Sequence, residues 1–269
     1  MVFFNSIWVA SIPRTGSMWT ANAVKEIFTK SNFNTYPKQT IPSDIETINF
    51  FYKNALHDQN RNNRYVFKVH VKLNSDLSRS KIIFNIRNPY EVCASHYQFM
   101  RCKLDEAIKN AGFSFKFFDF YSNKKIELLK INFEDIEYKP VEIIKKISIF
   151  CETEISDEKL SLINQKLKKE NIKKIIRRND DKIKKKILNK EIIIPNEIVK
   201  INKDNYRSFD IETGFQTNHI SKKSNKNWRK LFSSSDIDKI VDILDPIAVK
   251  LGYKSEKMNE KNWKNFKKK

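Results

Sequence analysis

From residue 3 to residue 28 the chain passes from an apolar run, FFNSIWVASI, through the turn Pro13-Arg14-Thr15-Gly16-Ser17 into the helical spacing of Val24, Ile27 and Phe28. A buried strand that feeds a helix through so tight a turn presents backbone N–H groups at the strand's C-terminal end and commits that strand to a sheet with helical crossovers. The passage recurs. Tyr65 to Val71 alternates, with Tyr65, Phe67, Val69 and Val71 on one face and Lys68, His70 and Lys72 on the other. Lys81 to Arg87 carries IIFNI and halts at Asn88-Pro89, where proline suits the first turn of a helix over Val92, Cys93, His96, Tyr97 and Met100. Leu128 to Phe133 reads as a fourth strand, followed by Glu134-Asp135 and an amphipathic helix from about Pro140 to Phe150. Strands that alternate with helices in this way predict an α/β fold, a central mostly parallel sheet flanked by helices on both faces.

The remaining segments are less regular. Residues 31 to 63, interrupted by Pro37 and Pro42, predict loops and a short helix, and residues 156 to 190 predict exposed helices with an Ile/Leu stripe. Glu191 to Ile201 fits either a strand or an apolar loop. Ser235 caps a last helix that runs through Leu251 with a stripe of Ile237, Ile240, Val241 and Leu244, and Gly252 stops it. No repeat or internal boundary divides the chain, so residues 1 to 253 read as one domain and residues 254 to 269 as a basic tail.

Twenty phenylalanines and a 40% hydrophobic content exclude a disordered body. Cys93, Cys102 and Cys151 are too few for a disulfide framework or a four-ligand metal centre, and His57, His96 and His219 show no metal-ligand spacing. No leader peptide opens the chain and no apolar run is long enough to span a bilayer, which predicts a cytoplasmic protein in a reducing compartment. The net charge of +20 raises the prospect of a nucleic-acid partner. Its distribution argues against that, because residues 1 to 60 hold five Lys/Arg against four Asp/Glu, whereas residues 157 to 200 hold fourteen against seven.

Three places carry chemistry. The turn PRTGSMW lacks the lysine and spacing of a Walker loop but offers a nest of N–H donors, hydroxyls at Thr15 and Ser17, a Gly16 that lets a phosphate approach, and the Arg14 guanidinium. Arg87 at a strand end and Ser95 on the following helix can bend toward one phosphate. Lys68 and His70 share a strand face near its C-terminal end, where imidazole can take a proton and an ammonium can stabilise anionic oxygens.

These three elements, in this order, resemble the sulfotransferase family that uses 3′-phosphoadenosine 5′-phosphosulfate. Pro13-Arg14-Thr15-Gly16-Ser17-Met18-Trp19 is similar to its 5′-phosphosulfate loop, with arginine where many members have lysine. Phe67-Lys68-Val69-His70 is similar to its K-x-H strand, and Arg87 through Ser95, RNPYEVCAS, to its 3′-phosphate signature R-N-P-x-D/E-V-x-x-S. Phe133-Glu134-Asp135 keeps the shape of Y-E-D without the hydroxyl. Ser221 through Trp228, SKKSNKNW, stands where the family has R-K-G-x-x-G-D-W, with Lys222 and Lys223 in place of its charge and His219 nearby.

The resemblance implies a three-layer, P-loop-like fold and a soluble transferase that binds the donor, and afterwards 3′-phosphoadenosine 5′-phosphate, through Arg14, Thr15, Gly16, Ser17, Met18, Trp19, Arg87, Ser95, Phe133, Lys222 and Lys223. It implies His70 as general base, with Lys68 and Arg14 holding the charge on the transferring sulfuryl group, and requires no metal. Trp19 and Trp228 fit either an adenine contact or core packing. The acceptor is a small molecule with a hydroxyl or amine, and the phenylalanines between Phe99 and Tyr121 fit either an apolar wall for an apolar or amphipathic acceptor or plain core packing. A nucleotide-dependent kinase is the rival enzyme, lacking here a metal-phosphate apparatus. A silent basic module that binds nucleic acid or another polyanion is the rival of a different class.

Overall fold

The structure, a computed structural model, describes residues 4–74, 77–193, 197–200, 206–218 and 225–257. Strand β1 (Ser6–Ala10) is buried on both faces and leads through the turn into helix α1 (Ser17–Lys30). It lies at the centre of a parallel five-stranded sheet, between β3 (Asn63–Val69) and β4 (Ser80–Ile86). The short β2 (Asn34–Tyr36) edges β3, and β5 (Leu128–Asn132) edges β4. Pairing of Ala10 with Val69 and of Val9 with Ile83 brings the C-terminal ends of β1, β3 and β4 side by side, the place where open parallel sheets hold their ligands.

Alternation along the strands sorts the core into layers. Ile7, Val9, Val66, Ile83 and Ile131 face α1, α6 (Pro140–Phe150) and α7 (Asp157–Lys166). Trp8, Ala10, Phe67, Val69 and Phe84 face the other way, against Phe51 and Tyr121. Phe51 opens a π turn (Phe51–Ala55) that continues α2 (Asp44–Phe50), and Tyr121 lies near the end of α4 (Leu104–Ser122). Beside this layer, α3 (Pro89–Met100) and α4 pack with α9 (Ser234–Lys250) around Tyr90, Ile108, Leu244 and Trp228. The ring of Trp228 stacks on Tyr90 with centroids 5.1 Å apart, so this tryptophan is a core residue.

Several details differ from the sequence reading. Residues 31–63 contain β2 as well as the short helix, and a further helix, α5 (Phe133–Tyr138), stands between β5 and α6. Ser233, rather than Ser235, caps α9, its hydroxyl accepting the Asp236 N–H. Residues 198–200 form β6 (Ile198–Lys200), which pairs antiparallel with β7 (Tyr206–Ser208) after α8 (Lys169–Leu188). In α4, Phe115, Phe117, Phe118 and Phe120 pack against the core and Phe113 is exposed. Among the described residues, no helix is long and apolar enough to cross a membrane.

Candidate active site

The turn after β1 is shaped by two left-handed residues, Arg14 (φ 73°) and Gly16 (φ 86°). At Arg14 this conformation costs about 1 kcal/mol or more, and at Gly16 it is free of Cβ strain. Thr15 is buried and its Oγ1 donates to the Ile12 carbonyl at 2.9 Å, so its hydroxyl braces the turn from within and does not line the cavity. Gly16 is the N-cap of α1, and no side chain caps that helix end. A Cβ at Gly16 would stand 2.8 Å from Cδ2 of Phe133, so the turn and the start of α5 are in direct contact.

Arginine side chains meet above this turn. Nε of Arg14 donates to Oγ of Ser95 at 2.9 Å, and Nη1 of Arg87 donates to the Arg14 carbonyl at 3.1 Å. Arg87 also donates to Oε2 of Glu91, at 3.1 Å from Nη2, and its guanidinium lies 4.0 Å over the Phe133 ring. Burial, followed by the charges of Arg87 and Arg207, pushes Arg14 down to about 9. Burial likewise raises Glu91 against the pull of Arg87. Glu134 ties the segment down: its Oε1 accepts the Asn88 N–H at 3.1 Å and its Oε2 accepts the Tyr253 hydroxyl at 2.9 Å.

At the end of β3, Nδ1 of His70 lies 2.6 Å from the Ser11 carbonyl and Nε2 lies 2.9 Å from Nζ of Lys68. A carbonyl can only accept, so Nδ1 carries the proton and Nε2 holds the lone pair that Lys68 donates to. The His70 N–H donates to Oδ2 of Asp44 at 3.1 Å. Burial first, then the charges of Lys68 and Arg14, depress His70 to about 3, while the Ser11 carbonyl opposes the shift. Burial lowers Lys68 against the attraction of Asp44, and raises Asp44 against the attraction of Lys68.

Arg14, Lys68, His70, Arg87 and Ser95 open on one cavity of about 480 Å³. Arg14, Gly16, Ser17, Met18 and Trp19 line it from the turn and α1, Lys68 and His70 from β3, Arg87 and Ser95 from the β4–α3 passage, and Phe133 from α5. Trp19 donates its Nε1–H to the Leu167 carbonyl at 3.2 Å, which orients its ring as a wall. Thr15 alone of the expected residues that the structure describes stays outside the lining; Lys222, Lys223 and His219 lie outside the described residues. The site has members that the sequence reading did not single out. Phe215 closes the cavity against Met18 and Ile172. The guanidinium of Arg207 lies 3.8 Å over the ring of Phe99, which Arg14 also overlies at 4.1 Å. Asp44 and the Ser11 carbonyl complete the surroundings of His70.

A cavity that juxtaposes a neutral imidazole, an ammonium and two buried guanidiniums fits a ligand with several anionic oxygens and a reaction in which a proton leaves a nucleophile. Comparison with known proteins agrees. Residues 4–262 match the family described as Sulfotransferase domain. The amine sulfotransferase of Oryctolagus cuniculus is 24% identical over 201 residues, an alignment that spans 66% of this chain and 66% of the relative. The fold is similar to that of mouse sulfotransferase SULT7A1 complexed with PAP, with a TM-score of 0.56 and 14% identity over 92% of this chain and 87% of that one. It is also similar to retinol dehydratase in a complex with retinol and PAP, with a TM-score of 0.57 and 14% identity over 94% of this chain and 82% of that one.

Proposed function

Because the chain belongs to the sulfotransferase domain family, we propose that it transfers the sulfuryl group of 3′-phosphoadenosine 5′-phosphosulfate to a hydroxyl or amine of a small acceptor. The observation that carries this reading is the placement of His70, Lys68, Arg14 and Arg87 around one cavity, at the ends of three adjacent strands. The residues fit such a donor: Arg14 is buried among like charges, an arrangement that an anionic ligand relieves. When bound, the donor supplies an activated sulfuryl group and an acidic phosphate leaving group.

The chain's own groups then divide the work. His70 takes the acceptor's proton at Nε2, held in the right tautomer by the Ser11 carbonyl. Lys68, which occupies that lone pair, turns to the anionic sulfuryl oxygens and frees the base; its lowered affinity for its proton also makes it a better general acid than arginine. Arg14 and the turn's N–H groups hold the sulfuryl end, with Gly16, Ser17 and Met18 close against it and Thr15 bracing the turn. Arg87 and Ser95 hold the 3′-phosphate, Phe133 and Trp19 flank the base, and Lys222 and Lys223 supply further positive charge to the nucleotide. Phe99, Phe215 and Met18 leave an apolar margin for an apolar or amphipathic acceptor.

The test is calorimetry with 3′-phosphoadenosine 5′-phosphate and with ATP-Mg, together with a radiolabelled-donor assay over a panel of alcohols and amines. Binding of the bisphosphate and label transfer to at least one acceptor are expected. Tight ATP-Mg binding without bisphosphate binding would overturn the assignment in favour of a kinase.

A further inference from the structure

We propose that the corner between α3 and α4 binds one Zn²⁺ ion through His96, Cys102 and Glu106. One ligand atom of each residue lies within 4.8 Å of the others, although their sequence spacing gave no sign of a metal centre. The corner's backbone explains how they meet. Helix α3 ends at Met100, Arg101 turns left-handed (φ 53°), and the chain doubles back so that Cys102 and the first turn of α4, with Glu106, return to His96. His96 is buried, Cys102 half-buried and Glu106 exposed, so an ion enters from the Glu106 side.

Imidazole, thiolate and carboxylate together suit Zn²⁺ or Co²⁺ and disfavour Mg²⁺ and Ca²⁺, which take oxygen ligands. Bonds of about 2.0–2.3 Å place tetrahedral ligand atoms roughly 3.5 Å apart, so the site closes by side-chain rotation at Cys102 and Glu106, the two members nearer solvent. Without the ion, Nε2 of His96 accepts from Nδ2 of Asn110 at 3.0 Å, an amide that also donates to the Glu106 carbonyl. An ion bound at Nε2 displaces that amide. Thiolate and carboxylate cancel the charge of Zn²⁺, which matters because Arg14 is close enough to act on His96. Three protein ligands leave a fourth position for water. Since His96 follows Ser95 directly, the ion would fasten the end of α3, with Ser95 and Phe99, to α4.

The experiment uses the full chain, free of affinity histidines and dialysed against chelator, titrated with Co²⁺ and then with Zn²⁺. One equivalent of Co²⁺ should bind with a thiolate-to-cobalt charge-transfer band that Zn²⁺ abolishes, and Zn²⁺ should raise the melting temperature. Cys102→Ser should lose the band and the thermal shift. Glu106→Gln, at an exposed position that spares the fold, should weaken Co²⁺ at least tenfold. Absence of the band in the wild type, or its persistence in Cys102→Ser, would overturn the site.

Discussion

The Nζ of Lys68 lies 2.9 Å from Nε2 of His70, so the ammonium donates into the lone pair that makes the imidazole basic. With burial acting in the same direction, the ring is held neutral down to about pH 3, against 6.5 for an ordinary imidazole. NMR of the imidazole nitrogens should therefore report the neutral, Nδ1-protonated tautomer from pH 8 to pH 5, and the acid limb of kcat/KM should carry no step near 6.5. Stability follows the same sign. Between pH 6.5 and about pH 3 the unfolded chain binds a proton at His70 that the folded chain refuses. This contribution is complete above pH 6.5 and is lost as the pH falls through that window, so His70→Gln should flatten the acid side of a urea-midpoint profile. A His70 resonance titrating near 6.5 would contradict both expectations.

Arg87 and His70 should fail differently when removed. On the proposed function, Arg87→Ala deletes a phosphate contact made in ground and transition states alike, so bisphosphate affinity should fall and donor KM rise. His70→Ala should leave bisphosphate affinity nearly intact and cut kcat by about 10²–10⁴-fold. Calorimetry and steady-state rates on both variants, with circular dichroism as the folding control, separate the roles. Near-wild-type turnover in His70→Ala would remove the base.

Gly16→Ala places a Cβ 2.8 Å from the Phe133 ring in a left-handed backbone. The conformational cost alone is about 1–2 kcal/mol. The displaced ring also underlies the Arg87 guanidinium, so a lower melting temperature should be accompanied by weaker bisphosphate binding. A stability loss with unchanged affinity would show that Phe133 can yield without disturbing Arg87.

Tyr253→Phe removes the hydroxyl that Glu134 accepts while keeping the ring in place. Glu134 holds the Asn88 N–H beside Arg87, so bisphosphate affinity should drop roughly three- to tenfold, a part of the about 1.5–3 kcal/mol carried by a hydrogen bond to a charged group. The kcat at saturating donor should stay unchanged. Equal affinity in the variant and the wild type would leave Tyr253 as packing only.

Local pattern was enough to place β3, β4 and β5 within about two residues and β1 within about three, because each is an apolar run that ends at a turn or a helix start. The same locality brought Arg14, Lys68, His70, Arg87 and Ser95 to notice, the family resemblance added Phe133, and all six line one cavity. Strand β2 escaped because three half-exposed residues, Asn34 to Tyr36, carry no periodicity. Asp44 and Ser11 were invisible for another reason: they reach His70 across 26 and 59 residues, and Ser11 does so with its backbone. The role of the α4 phenylalanines was not legible in the sequence, because apolar side chains look the same whether they meet a ligand or the underside of a sheet. His96, Cys102 and Glu106 share no one helical face; only the reversal at Arg101 brings them together.

The central position of β1 also has a consequence for biosynthesis. Its SIWVA segment is buried on both faces, yet both of its neighbours, Asn63–Val69 and Ser80–Ile86, are translated long after it. A nascent chain therefore carries an unpaired, strongly apolar strand with two open edges until β4 clears the ribosome, and strands in that condition invite intermolecular pairing. The turn at Arg14 and Gly16 acquires its neighbours only after that wait, so the end of the sheet that carries the cavity is made before the strands that complete it.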